Sequence, residues 1–273
     1  MAANKSDKEL AFLQDLYVST DWGERFAELI DEHVELPKRG RMLYVAAGTG
    51  GHALAMQERA GDKLTLVCVD ENEECLELGR VKAMAVRADP EFRKAQVEAL
   101  PFEDDQFDLV VGDASLIATE RLPEMLSEMV RVAKPGGKAA LSLVTASSFG
   151  EFFSVYWEAL LNLGIQEHEH DVTLLITELP TVSAIETMAA NGGLEHVTSW
   201  MQVEEFKYES GEEFLNAPLI TDFLLTRWLE SLPEAEAQAR VAQEIARIID
   251  AERQDMDFTL TVKATVVIGR KAN

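Results

Sequence analysis

The run Tyr44-Val45-Ala46-Ala47-Gly48-Thr49-Gly50-Gly51 places three glycines in four residues directly behind an apolar segment. Glycine lets a backbone approach a ligand closely, and the first amides of a following helix favour a negative group. The spacing Gly48-x-Gly50-x-x-Ala53 matches the dinucleotide-binding fingerprint, although a plain tight turn uses the same residues. Twenty residues past Gly50, Asp70 closes a second apolar run. A carboxylate there can accept from both hydroxyls of a ribose, or it can cap the helix that begins beside it. Turn and acid together point to a ligand containing adenosine without saying which one. The cluster Glu167-His168-Glu169-His170-Asp171 carries metal-ligand residue types, but no spaced partners accompany it, so it reads as a solvated loop and no metal is expected.

Chemistry at these positions needs elements that end there. Short apolar runs rich in β-branched residues alternate with helical patterns, as in a parallel sheet covered on both faces. Met42–Ala47 reads as a first strand, His52–Arg59 as a helix ending near Gly61, and Leu64–Asp70 as a second, doubly buried strand. Asn72–Met84 reads as a helix, Arg93–Val97 as a third strand and Phe107–Gly112 as a fourth. Pro123–Val132 is helical, and Lys138–Val144 is a fifth strand after the turn Pro135-Gly136-Gly137. In the second half Phe149–Leu163 is an aromatic-rich helix, and Val172–Ile176 suits either strand or helix. Ser183 with Glu186 suggests a capping box for a helix that Gly192-Gly193 ends. Leu194–Tyr208 alternates as a long strand, Phe214–Leu232 is helical, and Pro233 opens a helix running to about Arg253. Phe258–Ile268 alternates as a final strand. The first 40 residues look helical, with Phe12, Leu16, Phe26, Leu29 and Ile30 on one apolar face.

Two further segments narrow the ligand. Leu100-Pro101-Phe102 followed by Phe107-Asp108-Leu109-Val110 closely resembles the LPF…FDLV stretch of class I (Rossmann-like) S-adenosylmethionine-dependent methyltransferases of small molecules. Arg131-Val132-Ala133-Lys134-Pro135-Gly136-Gly137 resembles their RVLKPGG turn before the fifth strand. With the glycine turn and Asp70, four segments follow the family order across Met42–Val144. The resemblance implies an α/β fold: a seven-stranded, mostly parallel sheet with an antiparallel last strand, helices on both faces, and N-terminal helices. It implies S-adenosylmethionine as cofactor and methyl transfer to a small molecule. Residue by residue, Ala46, Gly48 and Gly50 would line the methionine and ribose portion, and Asp70 would hold the ribose hydroxyls. Glu71 and Asn72 would lie beside the adenine, with Gln96 facing its amino group and Val97 flanking the ring. Gly112, Asp113 and Ala114 would approach the methionine end. Asp113 is a candidate base, or equally a carboxylate hydrogen-bonded within its loop. The sequence departs from the family where Tyr44 replaces an acid, Ala46 a glycine and Gln96 an Asp. A phenol cannot offset the cofactor's ammonium charge, so backbone carbonyls around Ala46 and Gly112 are expected to accept from it.

Composition restricts the partners. Lys and Arg total 25 against 49 Asp and Glu, a formal charge of −24. That surface repels phosphate backbones and anionic headgroups, so neither nucleic acid nor a membrane is expected as partner. Cys68 and Cys75 are the 2 cysteines, too few for a disulfide framework, which suits a reducing cytoplasm. No run of 18 apolar residues occurs. The 273 residues read as one domain: 1–40 a helical cap, 41–145 a cofactor-binding half and 146–273 a substrate-side half with lid helices. Phe149, Phe152, Phe153, Tyr156 and Trp157 read as core before pocket wall, and Tyr17 and Trp22 as core or as a cap on the cofactor. Two rivals stand beside the enzyme. One is a degenerate relative that binds the cofactor weakly, suggested by Tyr44 and Ala46; the other is a nicotinamide-dependent oxidoreductase, suggested by the glycine spacing. An antiparallel final strand favours the methyltransferase, and an all-parallel six-stranded sheet favours the oxidoreductase.

Overall fold

The computed structural model describes residues 5–61, 63–165, 168–232, 234–253 and 256–273. They fall into two compact units, the larger built from 5–143, 181–202 and 264–273 and the smaller from 144–180 and 203–263.

The strands of a seven-stranded sheet are β1 (Gly40–Val45), β2 (Leu64–Asp70), β3 (Glu91–Lys94), β4 (Phe107–Asp113), β5 (Ala133–Val144), β6 (Leu194–Tyr208) and β7 (Phe258–Lys271). The larger unit contains β1 to β4 whole and parts of the other three. The spatial order is β3-β2-β1-β4-β5-β7-β6. β1 pairs in parallel with β2 on one side and with β4 on the other, and β4 pairs in parallel with β5. β7 runs against them: Lys271 near its end reaches the Ala133 carbonyl at the start of β5, so the expected antiparallel strand lies between β5 and β6. Connections leave β1 in opposite directions, which opens a crevice at its carboxyl end.

Helices α1 (Asp7–Leu13) and α2 (Glu24–His33) flank a π-helical stretch, Gln14–Gly23. Then come α3 (Gly51–Ala60), α4 (Glu73–Ala85) and α5 (Leu122–Val132). The apolar side of α5 packs Met125, Leu126 and Met129 into a core with Leu43, Val67, Val110 and Leu141. Each such side chain, fully buried, contributes roughly 1.5–3 kcal/mol. The packing is close enough to dictate Gly112, where a Cβ would meet Met129 Sδ at 2.7 Å.

Several elements differ from the sequence reading. β3 stops at Lys94, leaving Gln96 and Val97 in the following turn, because its short exposed run offers little to bury. β5 begins at Ala133, and the Pro-Gly-Gly turn survives as a bulge: Phe107 pairs with Ala133 but Leu109 with Lys138. The helix Val182–Asn191 is capped by Thr181, which accepts from the Ala184 amide at 3.1 Å, while Glu186 accepts from Ser199 instead of closing a box with Ser183. Val172–Ile176 lies within the helix Glu169–Glu178. Phe214–Leu232 is not one helix, because Pro218 interrupts it: Gly211–Asn216 precedes a π-helical turn, Leu219–Leu224, and a short helix, Leu225–Trp228. A helix does cover Ala235–Arg253; Pro233 lies outside the described residues. Of the N-terminal apolar face, Phe26, Leu29 and Ile30 are buried, but Phe12 is 56% exposed and Leu16 46%.

The smaller unit is an aromatic cluster. Phe152 stacks on Trp228 with centroids 4.0 Å apart, and Phe149, Phe153, Tyr156 and Phe214 are buried around them. Core packing therefore accounts for all but Trp157 of the aromatic run. Glu151, in the helix Gly150–Leu163, accepts from the Thr261 hydroxyl at 2.6 Å.

Candidate functional site

Strand register assembles the site. Val45 lies opposite Val69 on one side and Gly112 on the other, so the residues that follow each strand emerge level at one edge of the sheet. Ala46–Gly50, Asp70–Asn72 and Asp113–Ser115 meet there.

The turn after β1 is left-handed at three points: Ala46 (φ 55°), Gly48 (φ 53°) and Gly50 (φ 72°). The conformation is free for glycine but costs alanine about 1–2 kcal/mol. The chain's own residues cover this backbone closely. A Cβ on Gly48 would meet Gln14 Nε2 at 2.8 Å, and one on Gly50 would meet the Phe92 ring at 3.2 Å. Thr49 donates to Asp15 Oδ1 at 2.5 Å, while Lys82 pairs with Asp15 and donates to Thr49 Oγ1 at 2.8 Å. The turn is thus tied to the N-terminal π-helical stretch and to α4.

Asp70 is oriented from two sides. Its Oδ2 accepts from the Gly48 amide at 2.7 Å and its Oδ1 from the Asn72 amide at 2.9 Å. Burial pushes the carboxyl up, and the backbone hydrogen bonds only partly oppose it. The cap of α4 is Asn72, whose side chain accepts from the Glu74 amide, so helix capping does not occupy Asp70. The two carboxylate oxygens carry four lone pairs against backbone donors from Gly48, Asn72 and Glu71, which leaves acceptor capacity for a ribose hydroxyl.

Beyond Asp70 lies a second charged group that the sequence reading missed. Arg121 bridges Glu71 and Glu98, with Nη2 2.8 Å from Glu98 Oε2, and Glu71 also accepts from the Val97 amide at 3.3 Å. These bonds raise the Arg121 guanidinium further and lower the Glu98 carboxyl. Val97 is buried beside them, whereas Gln96 is exposed.

On the β4 side the groups are less ordinary. Tyr44, 3% exposed, has its hydroxyl 2.8 Å from His52 Nδ1 and its ring edge-on to the imidazole. His52 Nε2 lies 2.8 Å from Asp31 Oδ1, and Asp31 also pairs with Arg59. Burial would raise the Asp31 carboxyl, but hydrogen bonds from His52 and Arg59 bring it below the usual carboxylate value. Asp113 Oδ1 accepts from the Ser115 amide at 3.0 Å, and Ser115 Oγ accepts from Trp22 Nε1 at 2.9 Å. Burial pushes Asp113 up; burial and then the Asp113 charge push the Tyr44 phenol well above its usual value. Tyr44, Ala46, Gly48, His52 and Asp113 share one cavity of about 540 Å³.

The structure therefore brings together Ala46, Gly48, Gly50, Asp70, Asn72 and Asp113. Gly112 is accounted for by α5, Ala114 belongs to the core, and Tyr17 is 56% exposed, so only Trp22 reaches this edge. His52 was visible as a titratable side chain just past the glycine turn; Asp31 and Arg121 carried no local signal. In the smaller unit His168 Nδ1 pairs with Asp171 Oδ2 at 2.8 Å, while Glu167 lies outside the described residues. Among the described residues no three His, Cys, Asp or Glu gather as metal ligands. A nucleoside with a cationic tail fits the donor set: a buried acid with spare lone pairs stands at one end of the turn and a second acid in the cavity at the other.

Residues 42–137 match the family model described as a methyltransferase domain. The demethylmenaquinone methyltransferase of Renibacterium salmoninarum is 34% identical over 137 residues, 50% of this chain and 55% of that protein. A ubiquinone/menaquinone biosynthesis C-methyltransferase of Azotobacter vinelandii is 28% identical over 59% of this chain and 68% of its own length. The chain spans about half the length of most of the curated relatives it matches. In fold it is similar to the YcgJ protein of Bacillus subtilis, with a TM-score of 0.60 at 16% identity, covering 92% of this chain and 99% of that one. It is also similar to a Haemonchus contortus phosphoethanolamine N-methyltransferase solved with S-adenosylhomocysteine, with a TM-score of 0.57 at 15% identity over 100% of this chain and 59% of that one.

Proposed function

We propose that the chain is a class I S-adenosylmethionine-dependent methyltransferase that moves a methyl group from S-adenosylmethionine to a small-molecule acceptor, a reading that the family model over residues 42–137 and the methyltransferase relatives support. The observation that carries this reading is Asp70, held by the Gly48 and Asn72 amides at the switch point of the sheet with acceptor capacity to spare. When bound, the cofactor supplies an already activated methyl group, so the protein's work is to bind and align. Asp70 holds the ribose hydroxyls, and the backbone of Ala46, Gly48 and Gly50 lines the ribose and methionine portion. Glu71, Asn72, Gln96 and Val97 form the adenine end, and Asp113 the methionine end. Asp113, in the same cavity as Tyr44, supplies the negative charge that the phenol does not. This assigns to a side chain the role that the sequence reading gave to backbone carbonyls.

The antiparallel β7 weighs against the oxidoreductase, and Tyr44 lines the cavity without filling it, which weighs against an abandoned pocket. The relatives are named for menaquinone and ubiquinone biosynthesis. The acceptor proposed here stops at a small molecule, because half of this chain lies outside the first of those matches. No single described helix is long and apolar enough to cross a membrane. A cytoplasmic site of action and the working of 1–273 as one functional domain, with 41–145 its cofactor-binding half, complete the proposal. Calorimetric titration with S-adenosylmethionine, S-adenosylhomocysteine and NAD tests it. Binding of the first two without NAD is expected; binding of NAD alone overturns it.

A further inference from the structure

Where the family carries an acid on the first strand, this chain carries a phenol whose proton is already committed. Asp31 is ionised and accepts only, being paired with Arg59, so His52 donates its Nε2–H to it. A neutral imidazole has one N–H, which leaves Nδ1 bare. Nδ1 lies 2.8 Å from the Tyr44 hydroxyl, so the phenol donates there. Its oxygen then offers only lone pairs to the cavity, and Asp113 offers a carboxylate to the same space. These two acceptors in one cavity suit a donor that carries positive charge.

Building on the function proposed above, the geometry points to the Tyr44–His52–Asp31 chain as the recognition device for the cofactor's α-ammonium, one that works only while His52 is neutral. Protonated, His52 donates from both nitrogens. Tyr44 must then accept from Nδ1 and turn its own O–H into the cavity, so an acceptor becomes a donor just as a positive charge arrives beside it. Imidazole is the side chain that changes charge between pH 5 and 8. The groups facing His52 are Tyr44 from β1, Asp31 from α2, Asp113 from β4 and Arg59 from its own helix. Glu24 and Lys82 line the same cavity. Binding and protonation of His52 oppose each other through one proton, so affinity falls at most about tenfold per pH unit on the acid side.

Calorimetry between pH 5.5 and 8 with two probes tests the assignment. S-adenosylhomocysteine carries the ammonium; 5′-methylthioadenosine has the same nucleoside and sulfur but no amino-acid end. The first should weaken as pH falls while the second stays flat. Tyr44→Phe should weaken S-adenosylhomocysteine about tenfold at pH 8, leave 5′-methylthioadenosine unchanged and reduce the pH slope to what the charge on His52 alone supplies. His52→Gln should abolish the slope, which gives a second route if one variant does not fold. A flat profile for S-adenosylhomocysteine overturns the assignment, as does an equal slope for both probes or a slope that survives His52→Gln. Failure of both probes to bind at any pH overturns the methyltransferase reading itself, and the assignment with it.

Discussion

Asp70 and Asp113 stand one strand to either side of β1, and each accepts from the amide two residues on, at 2.9 and 3.0 Å. Burial raises both carboxyls. Their surroundings separate them. Asp70 takes its second bond from the Gly48 amide, a fixed backbone donor, while Asp113 shares a cavity with a phenol and an imidazole. One turn geometry thus serves two purposes: an acid steadied by backbone is suited to a neutral diol, and an acid among side-chain acceptors is suited to a cation.

The comparison breaks most readily at Asp70. Asp70→Ala should weaken S-adenosylhomocysteine and 5′-methylthioadenosine alike by about 2–3 kcal/mol in calorimetry, since both carry the ribose. Equal affinity in a folded variant would reduce Asp70 to a brace for the turn. Asp113→Asn should cost S-adenosylhomocysteine about 1.5 kcal/mol, roughly tenfold, and leave 5′-methylthioadenosine untouched. If the two probes lose equally, the two acids do not divide the ligand between them.

In stability the two acids should behave alike. A carboxyl raised in the folded state contributes stability that is full below its unfolded value, near pH 3.9, and is lost as pH rises through the folded value. Asp70→Asn and Asp113→Asn remove that loss and keep an acceptor for the amide. Each should therefore be more stable than the parent at pH 7, read as a higher thermal-unfolding temperature, with no gain at pH 3.5. A gain that persists in acid would trace to packing. The smallest effect belongs to the turn between them. Ala46→Gly should relieve the left-handed strain and add about 0.5 kcal/mol by urea unfolding, because glycine's greater unfolded freedom offsets part of the relief.

These two acids also mark how far the sequence could be read. Asp70 ends β2, whose apolar pattern announces a buried parallel strand, and its distance from the glycine turn is set by one helix, one short connection and the strand itself. Local pattern was enough for β1, β2, β4 and β7, and for the order in which they carry the turn and the acid. It was not enough for Asp31, 21 residues from His52, or for Arg121, 50 from Glu71, because such pairs exist only once helices have docked. Phe214–Leu232 failed for a different reason: its apolar spacing suits a helix, but Pro218 withholds an amide and breaks it into pieces. A Cβ at Gly112 would meet the Met129 sulfur at 2.7 Å, a packing constraint that no local pattern announces.

The fastening of the N-terminal segment sets an order of events in folding. Thr49 reaches back 34 residues to Asp15, Cys75 Sγ reaches back 61 to the Gln14 carbonyl oxygen, and Ser115 holds an indole 93 positions upstream. Closing loops of such length has an entropic cost that is recovered only when the far contact forms. The strands can therefore pair while the glycine turn is still loose, and the turn acquires its shape when Gln14–Gly23 arrives. The ligand site is complete only with Gln14–Gly23 docked against the turn.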